Sequence, residues 1–122
     1  MSAGRLLVMD DEPRFGAFVE EVAQDLSYDV RVLCNPTEFK DVYAEFVPDT
    51  IVLEMVMPEF DGTEITRWLS TQKFAGKLLI VTGYNPQYSK IAKTLGELGG
   101  LTHVERLSKP LRLEELRRAL RA

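Results

Sequence analysis

A doubly wound α/β fold, a parallel sheet covered by helices on both faces, is what this chain of 122 residues predicts. Three observations carry that reading. Five short apolar runs alternate with segments of helical periodicity along the whole chain. The runs are apolar without alternation, as strands buried on both faces are. The connections between them are short, which suits strand–helix–strand units. No linker, repeat or low-complexity stretch interrupts the order, so residues 1–122 read as one domain.

Arg5 to Met9 forms the first predicted strand. Pro13 suits the first turn of the following helix, where a missing N–H costs nothing, and Phe15, Phe18, Val19, Val22, Ala23 and Leu26 recur at helical spacing. Asp29 to Leu33 is the second strand. Asn35-Pro36 signals a helix start, Phe39, Val42, Tyr43 and Phe46 share one face, and Pro48 closes the helix. Thr50 to Leu53 is a β-branched third strand. Asp61-Gly62 reads as a turn before a third helix marked by Ile65, Trp68 and Leu69. Leu78 to Val81 is the fourth strand. Asn85-Pro86 opens a fourth helix carrying Ile91, Leu95 and Leu98 and broken at Gly99-Gly100. Leu101 to Leu107 is a more polar fifth strand, expected at a sheet edge, and Leu113, Leu116 and Leu120 stripe the last helix.

For a chain of this length the best fit is the flavodoxin-like strand order 2-1-3-4-5, in which ligands bind at the carboxyl ends of strands 1 and 3. That rule places Asp10, Asp11 and Glu54 in one crevice, with Thr82 and Lys109 at the ends of strands 4 and 5. Carboxylates brought together repel, and they persist only around a cation or beside a positive side chain. Hard oxygen donors without histidine or thiolate favour Mg²⁺. Glu12, next to Pro13, is expected only to charge the helix N-terminus.

Composition removes several other classes. Cys34 is the sole cysteine, so no intrachain disulfide or multi-cysteine metal site is available, and its apolar strand predicts burial. His103 is the sole histidine, which excludes a zinc site with two histidines; a surface or strand role is expected. Residues 1–61 hold 4 basic and 14 acidic side chains, whereas residues 62–122 hold 11 and 5. In one folded unit this describes an acidic pocket and a basic far side. Lys73, Lys77, Lys90 and Lys93 have no aromatic interleaving, which argues against nucleic-acid binding. No apolar run approaches the ~20 residues of a membrane span, and Met1 to Arg5 lacks the features of a signal peptide. A cytoplasmic location is the expectation.

The segments Leu6-Leu7-Val8-Met9-Asp10-Asp11-Glu12 and Asp49 to Gly62, with Thr82 and Lys109-Pro110, resemble the motif set of response-regulator receiver domains of two-component signalling. The resemblance covers essentially the whole chain. That family takes a phosphoryl group from a histidine kinase on an aspartate at the end of the third strand, and here that position is Glu54. Carried over by position, the resemblance implies Mg²⁺ held by Asp11, Glu54 and the Val56 carbonyl, with Asp10 acting through water. It implies that the Thr82 hydroxyl and Lys109 bond the phosphoryl oxygens. Gly83 would leave room for the donor, and the bond from Lys109 to Pro110 is commonly cis in the family.

Three departures bear on the switch. One extra methylene moves the Glu54 carboxylate outward by ~1.5 Å, one carbon–carbon bond, and in-line phosphoryl transfer depends on positioning. Arg106 stands where receivers usually carry an aromatic ring that moves together with the Thr82 position. Thr82 and Lys109 are 27 residues apart, a longer spacing than usual, with Leu95 to Gly100 expected to absorb the excess.

The expectation is a non-catalytic receiver-like domain acting by protein–protein interaction, with a histidine kinase or a downstream output protein as partner. Glu54 would not be phosphorylated in the usual way and is at best a partial phosphomimic, and Mg²⁺ binding would be weak or vestigial. Leu95, Leu98, Leu111 and Leu116 offer a homodimer face on helix 4, strand 5 and helix 5, although core packing explains them equally well. The alternatives are an ordinary phosphoaccepting receiver carrying an engineered Asp-to-Glu change, a receiver excised from a longer regulator, and a small Mg²⁺-dependent phosphatase. The last lacks any recognisable second nucleophile or base.

Overall fold

The computed structural model describes residues 2–83 and 86–121. Its elements run β1 (Gly4–Met9), α1 (Pro13–Asp25), β2 (Tyr28–Leu33), a 3₁₀ turn (Pro36–Glu38), α2 (Phe39–Phe46) and β3 (Thr50–Glu54). They continue with β4 (Val56–Met57), β5 (Phe60–Asp61), α3 (Gly62–Thr71), β6 (Lys77–Thr82), α4 (Pro86–Leu98), β7 (Val104–Ser108) and α5 (Leu113–Arg121). The five long strands pair in parallel in the order β2-β1-β3-β6-β7. This is the flavodoxin-like order expected from the sequence, with β6 and β7 as the fourth and fifth strands.

Alternation along the central strands divides the core in two. Leu7, Met9, Ile51, Leu53, Leu78 and Ile80 face one way and pack with Phe39, Ile65, Leu69 and Ala92 from α2, α3 and α4. Leu6, Val8, Val52, Leu79 and Val81 face the other way and pack with Val19, Val22, Leu116 and Leu120 from α1 and α5. Because both faces are covered, β1, β3 and β6 read as unbroken apolar runs. The polar β7 lies at the sheet edge. It begins at Val104 rather than Leu101, which sits buried in the preceding loop.

The punctuation follows side-chain chemistry. Pro13 opens α1, and Asn35 Oδ1 accepts from Thr37 N at 3.0 Å to start the turn into α2. Val47, in the left-handed region at φ 50°, closes α2 ahead of Pro48. The helix start expected at Asn85-Pro86 is seen from Pro86 onward; Asn85 lies outside the described residues.

Three local expectations are corrected, and one element is new. Asp61-Gly62 is not a turn: Asp61 Oδ1 accepts from Thr63 N at 2.8 Å and caps α3, of which Gly62 is the first residue. The segment between Glu54 and Asp61 is a two-residue hairpin, with Val56 paired to Asp61 and Met57 to Phe60. Cys34 is exposed, because it follows the last residue of β2 at the outer edge of the sheet. Leu116 is fully buried in the α1–α5 core, so it cannot contribute to a dimer face.

Candidate functional site

The parallel sheet delivers the ends of β1, β3, β6 and β7 to one edge. There Lys109, one residue beyond β7, places its ammonium among three carboxylates. Nζ lies 2.8 Å from Glu54 Oε1, 3.0 Å from Asp10 Oδ2 and 2.6 Å from Glu12 Oε1. It also sits 4.3 Å from the centre of the Phe15 ring, a cation–π distance. The backbone N–H of Lys109 donates to the Thr82 carbonyl at 2.9 Å, which ties the end of β7 to the end of β6. The peptide bond from Lys109 to Pro110 is cis.

Glu54 is 1% exposed and does not project outward. Its side chain folds back over its own chain: Oε2 accepts from Met55 N at 2.6 Å and from Val56 N at 3.2 Å, leaving Oε1 for Lys109. The extra methylene permits this return, so the carboxylate is gripped at three points. Gly62 packs against the same segment. A Cβ there would press into Met55 Cε and come within 2.9 Å of the Glu54 carbonyl oxygen.

Asp10 is fully buried, and its Oδ1 accepts from Glu12 N at 2.8 Å. This Asx turn bends the chain as it leaves β1 and brings Glu12 back toward the pocket. Asp10 Oδ2 makes an ion pair with Lys109 but no hydrogen bond, and among the described residues no other buried side-chain oxygen or nitrogen lacks one.

Burial is the main influence on the two inner acids. It raises the Asp10 carboxyl above its ordinary value, offset in part by the Glu12 N–H and by Lys109. It likewise raises Glu54, with Lys109 the chief opposing influence. Burial would lower Lys109, but the surrounding Glu12, Glu54 and Asp10 carboxylates outweigh it and the net shift is upward. The ammonium is therefore firmly charged.

The structure brings Asp10, Glu54 and Lys109 together as the sequence predicts, with Thr82 buried beside them and linked to Lys109 through the backbone. Gly83 is exposed at the rim, and a Cβ on it would lie 3.4 Å from Lys109 Cβ. Val56 turns its N–H to Glu54 from the start of the hairpin. Arg106 stays outside: it is exposed on β7, and its Nη1 reaches Ser89 Oγ on α4 at 3.4 Å.

The acidic group differs from the expected one. Asp10, Glu12 and Glu54 offer oxygens all within 4.8 Å of one another, whereas Asp11, half-buried, is not among them. Glu12 is thus more than a helix charge. It makes no cap hydrogen bond, and its carboxylate goes to Lys109 instead. Sequence reasoning missed it because an acid before Pro13 looks like an ordinary helix start. The signal that could have found it is the Asp10–Glu12 spacing that an Asx turn requires. The donor set is all carboxylate oxygen, with one buried oxygen lacking a hydrogen bond, and in its chemistry it fits a Mg²⁺ ion.

An acidic cluster facing a lysine at the carboxyl edge of a flavodoxin-like sheet defines the receiver domains of two-component response regulators. The response regulator receiver domain family matches residues 6–121, and the chain belongs to it. It is 27% identical over 117 residues to sporulation initiation phosphotransferase F of Bacillus subtilis, covering 96% of this chain and 90% of that protein. It is 32% identical over 121 residues to response regulator MprA of a Mycobacterium species, covering 97% of this chain and 49% of the relative. The chain thus spans about half the length of MprA. Among solved structures, a response regulator receiver domain protein from Clostridium thermocellum superposes with a TM-score of 0.83 at 22% identity, covering 99% of this chain and 92% of the other. Chemotaxis protein CheY4 of Vibrio cholerae gives 0.81 at 24% identity, covering 99% and 97%. Receiver domains work with histidine kinases and output domains and bind Mg²⁺ at an acidic pocket. No helix among the described residues is long and apolar enough to cross a membrane.

Proposed function

We propose that residues 1–122 act as a single receiver unit that binds a protein partner of a two-component pathway, a histidine kinase or an output protein, without catalytic turnover. In this reading Glu54 stands at the phosphoacceptor position and does not take phosphate in the usual way. The observation that carries it is the three-point hold on the Glu54 carboxylate, by Lys109 Nζ and the N–H groups of Met55 and Val56, in a side chain 1% exposed. A nucleophile must present a free oxygen in line with the incoming phosphorus. Here one oxygen faces an ammonium and the other two amides. When ionised, the held carboxylate sets a negative charge against the Lys109 ammonium, as a phosphomimic requires, although with one charge where a phosphoryl group carries nearly two.

Asp10, Asp11, Glu54 and the Val56 carbonyl are the family's metal positions in this reading. Thr82, Gly83 and Lys109 would surround a phosphoryl group, and Thr82 and Arg106 occupy the switch positions. The exposure of Arg106 supports a weakened coupling between site and surface. The half-length match to MprA supports the reading that such a unit also works within a longer regulator. Incubation with a small phosphodonor and Mg²⁺, followed by intact mass, tests the proposal. No mass increase is expected for the native chain and one phosphoryl group for Glu54→Asp. Labelling of native Glu54 at a similar rate would overturn it.

Self-association is a second reading, favoured by one observation. Tyr88, Ile91 and Leu98, exposed by 48%, 51% and 81%, lie along α4, where they leave an apolar stripe.

A further inference from the structure

We infer that the cleft between α2 and α3 is an anchor site for a basic segment of a partner protein. One apolar side chain of that segment sits in the cleft, and its cationic residues face the acidic rim. The cleft shares no residue with the Lys109 cluster, and the inference rests only on the reading that the chain works by binding a protein. Three elements supply the lining: Phe39 and Lys40 at the start of α2, Phe60 from β5, and Glu64, Ile65 and Trp68 from α3.

Size and stiffness select the occupant. The cleft encloses about 200 Å³. That is below the ~300 Å³ at which pockets for cofactor-sized ligands begin, and it suits a single leucine or phenylalanine side chain. Phe39 and Ile65, 1% and 3% exposed, form its floor. The Trp68 ring is braced edge-on by Phe39 at 6.2 Å and by Tyr43 at 5.1 Å, and Phe60 is held in the hairpin by its pairing with Met57. Aromatic walls fixed in this way lose little freedom when an anchor enters, as buried hot spots of interfaces require.

Charge selects the flanks. Residues 36–41 and 59–64, which bound the cleft, carry Glu38, Asp41, Glu59, Asp61 and Glu64 against Lys40 alone. Among the described residues none of these five acids takes part in an ion pair. Lys40 instead lays its ammonium over the Trp68 ring, 5.5 Å from the centre, which marks that ring face as a seat for a cation. An apolar hollow with a negative rim and a cation-bearing ring is complementary to a leucine flanked by lysine or arginine. The same rim repels an acidic segment.

Trp68 is the only tryptophan, so its fluorescence reports on the cleft directly. The probe is a synthetic amphipathic helix of leucine and lysine, titrated into the full chain. Two control peptides replace its leucines by alanine or its lysines by glutamate. A saturable change in Trp68 emission is expected with the first peptide. The alanine peptide should bind ~10-fold or more weakly, the factor that burial of one leucine supplies, and the glutamate peptide should leave the emission unchanged. Glu64→Lys should weaken binding of the first peptide by ~10-fold or more by setting like charges together. Glu114→Lys makes the same charge change on α5, which packs on the other face of the sheet, and should shift it by less than about threefold. Both glutamates are exposed, so both variants should fold. Equal losses in the two variants, equal binding of the alanine peptide, or no saturable change would each overturn the inference. Emission that changes with the chain's own concentration, without peptide, would assign the cleft to a second copy and overturn it as well. Failure of the receiver reading itself would appear separately, as phosphodonor labelling of native Glu54.

Discussion

Lys109 Nζ lies 2.8 Å from Glu54 Oε1, with the two side chains only 13% and 2% exposed. This pair belongs to a wider knot, since the same ammonium meets Asp10 and Glu12. Buried ion pairs contribute little net stability when intact, yet removing one partner strands the other charge. Lys109→Met would strand two buried carboxylates and should destabilise the fold by about 3–5 kcal/mol at neutral pH. Urea denaturation of the two chains checks this. A loss below about 1 kcal/mol, the size of a surface pair, would mean that Lys109 is not structural.

The pH dependence follows from the same residues. Burial raises Asp10 and Glu54 above their ordinary values of 3.8 and 4.5, so between the ordinary and raised values the folded chain binds more protons than the unfolded one. Stability contributed by these groups is then complete below the ordinary values and is lost as pH rises through the raised ones. Glu54→Gln removes one of the two contributions. Its plot of unfolding free energy against pH should fall less steeply than that of the native chain from pH 4.5 upward. An unchanged slope would contradict the burial argument.

Room beside Lys109 should matter once an aspartate is present. Gly83 is the neighbour whose added Cβ would meet Lys109 Cβ at 3.4 Å and Cδ at 3.7 Å. In a Glu54→Asp background, Gly83→Val should slow labelling by a small phosphodonor by ~10-fold or more, as a displacement of about 1 Å does in such reactions. Intact mass against time measures it, and equal rates would show that the donor approaches from another side.

The apolar stripe of α4 makes a separate claim. If it is a self-association surface, Ile91→Glu places a charge in its middle and should convert a concentration-dependent dimer to monomer in sedimentation velocity. Ile91 is 51% exposed, so the substitution should leave the fold intact. A native chain that stays monomeric at high concentration removes the idea.

Most of the fold was legible because burial on both faces writes itself as apolar runs such as Leu78 to Val81, and because β7 showed its edge position through Glu105 and Arg106. The convergence of Asp10, Glu54 and Lys109 followed from strand order alone. The β4–β5 hairpin was not legible, since two residues per strand are too few to display a period. Glu12 was misread because its role depends on an Asx turn, and Cys34 because an apolar strand does not reveal where its sheet ends. The return of the Glu54 carboxylate was likewise hidden, because side-chain length gives reach but not direction.

That return has a consequence for the backbone. The N–H of Val56, which opens the hairpin, has the Glu54 carboxylate as its acceptor, and the N–H of Met55 divides itself between that carboxylate and the Val81 carbonyl. Shortening Glu54 to aspartate therefore does more than relocate a charge. It withdraws the acceptor from one amide and leaves the other with the sheet alone. In deuterium exchange, the Val56 amide should lose protection in Glu54→Asp while Met55 keeps most of its own. The side chain at position 54 thus sets the stiffness of the segment that follows it.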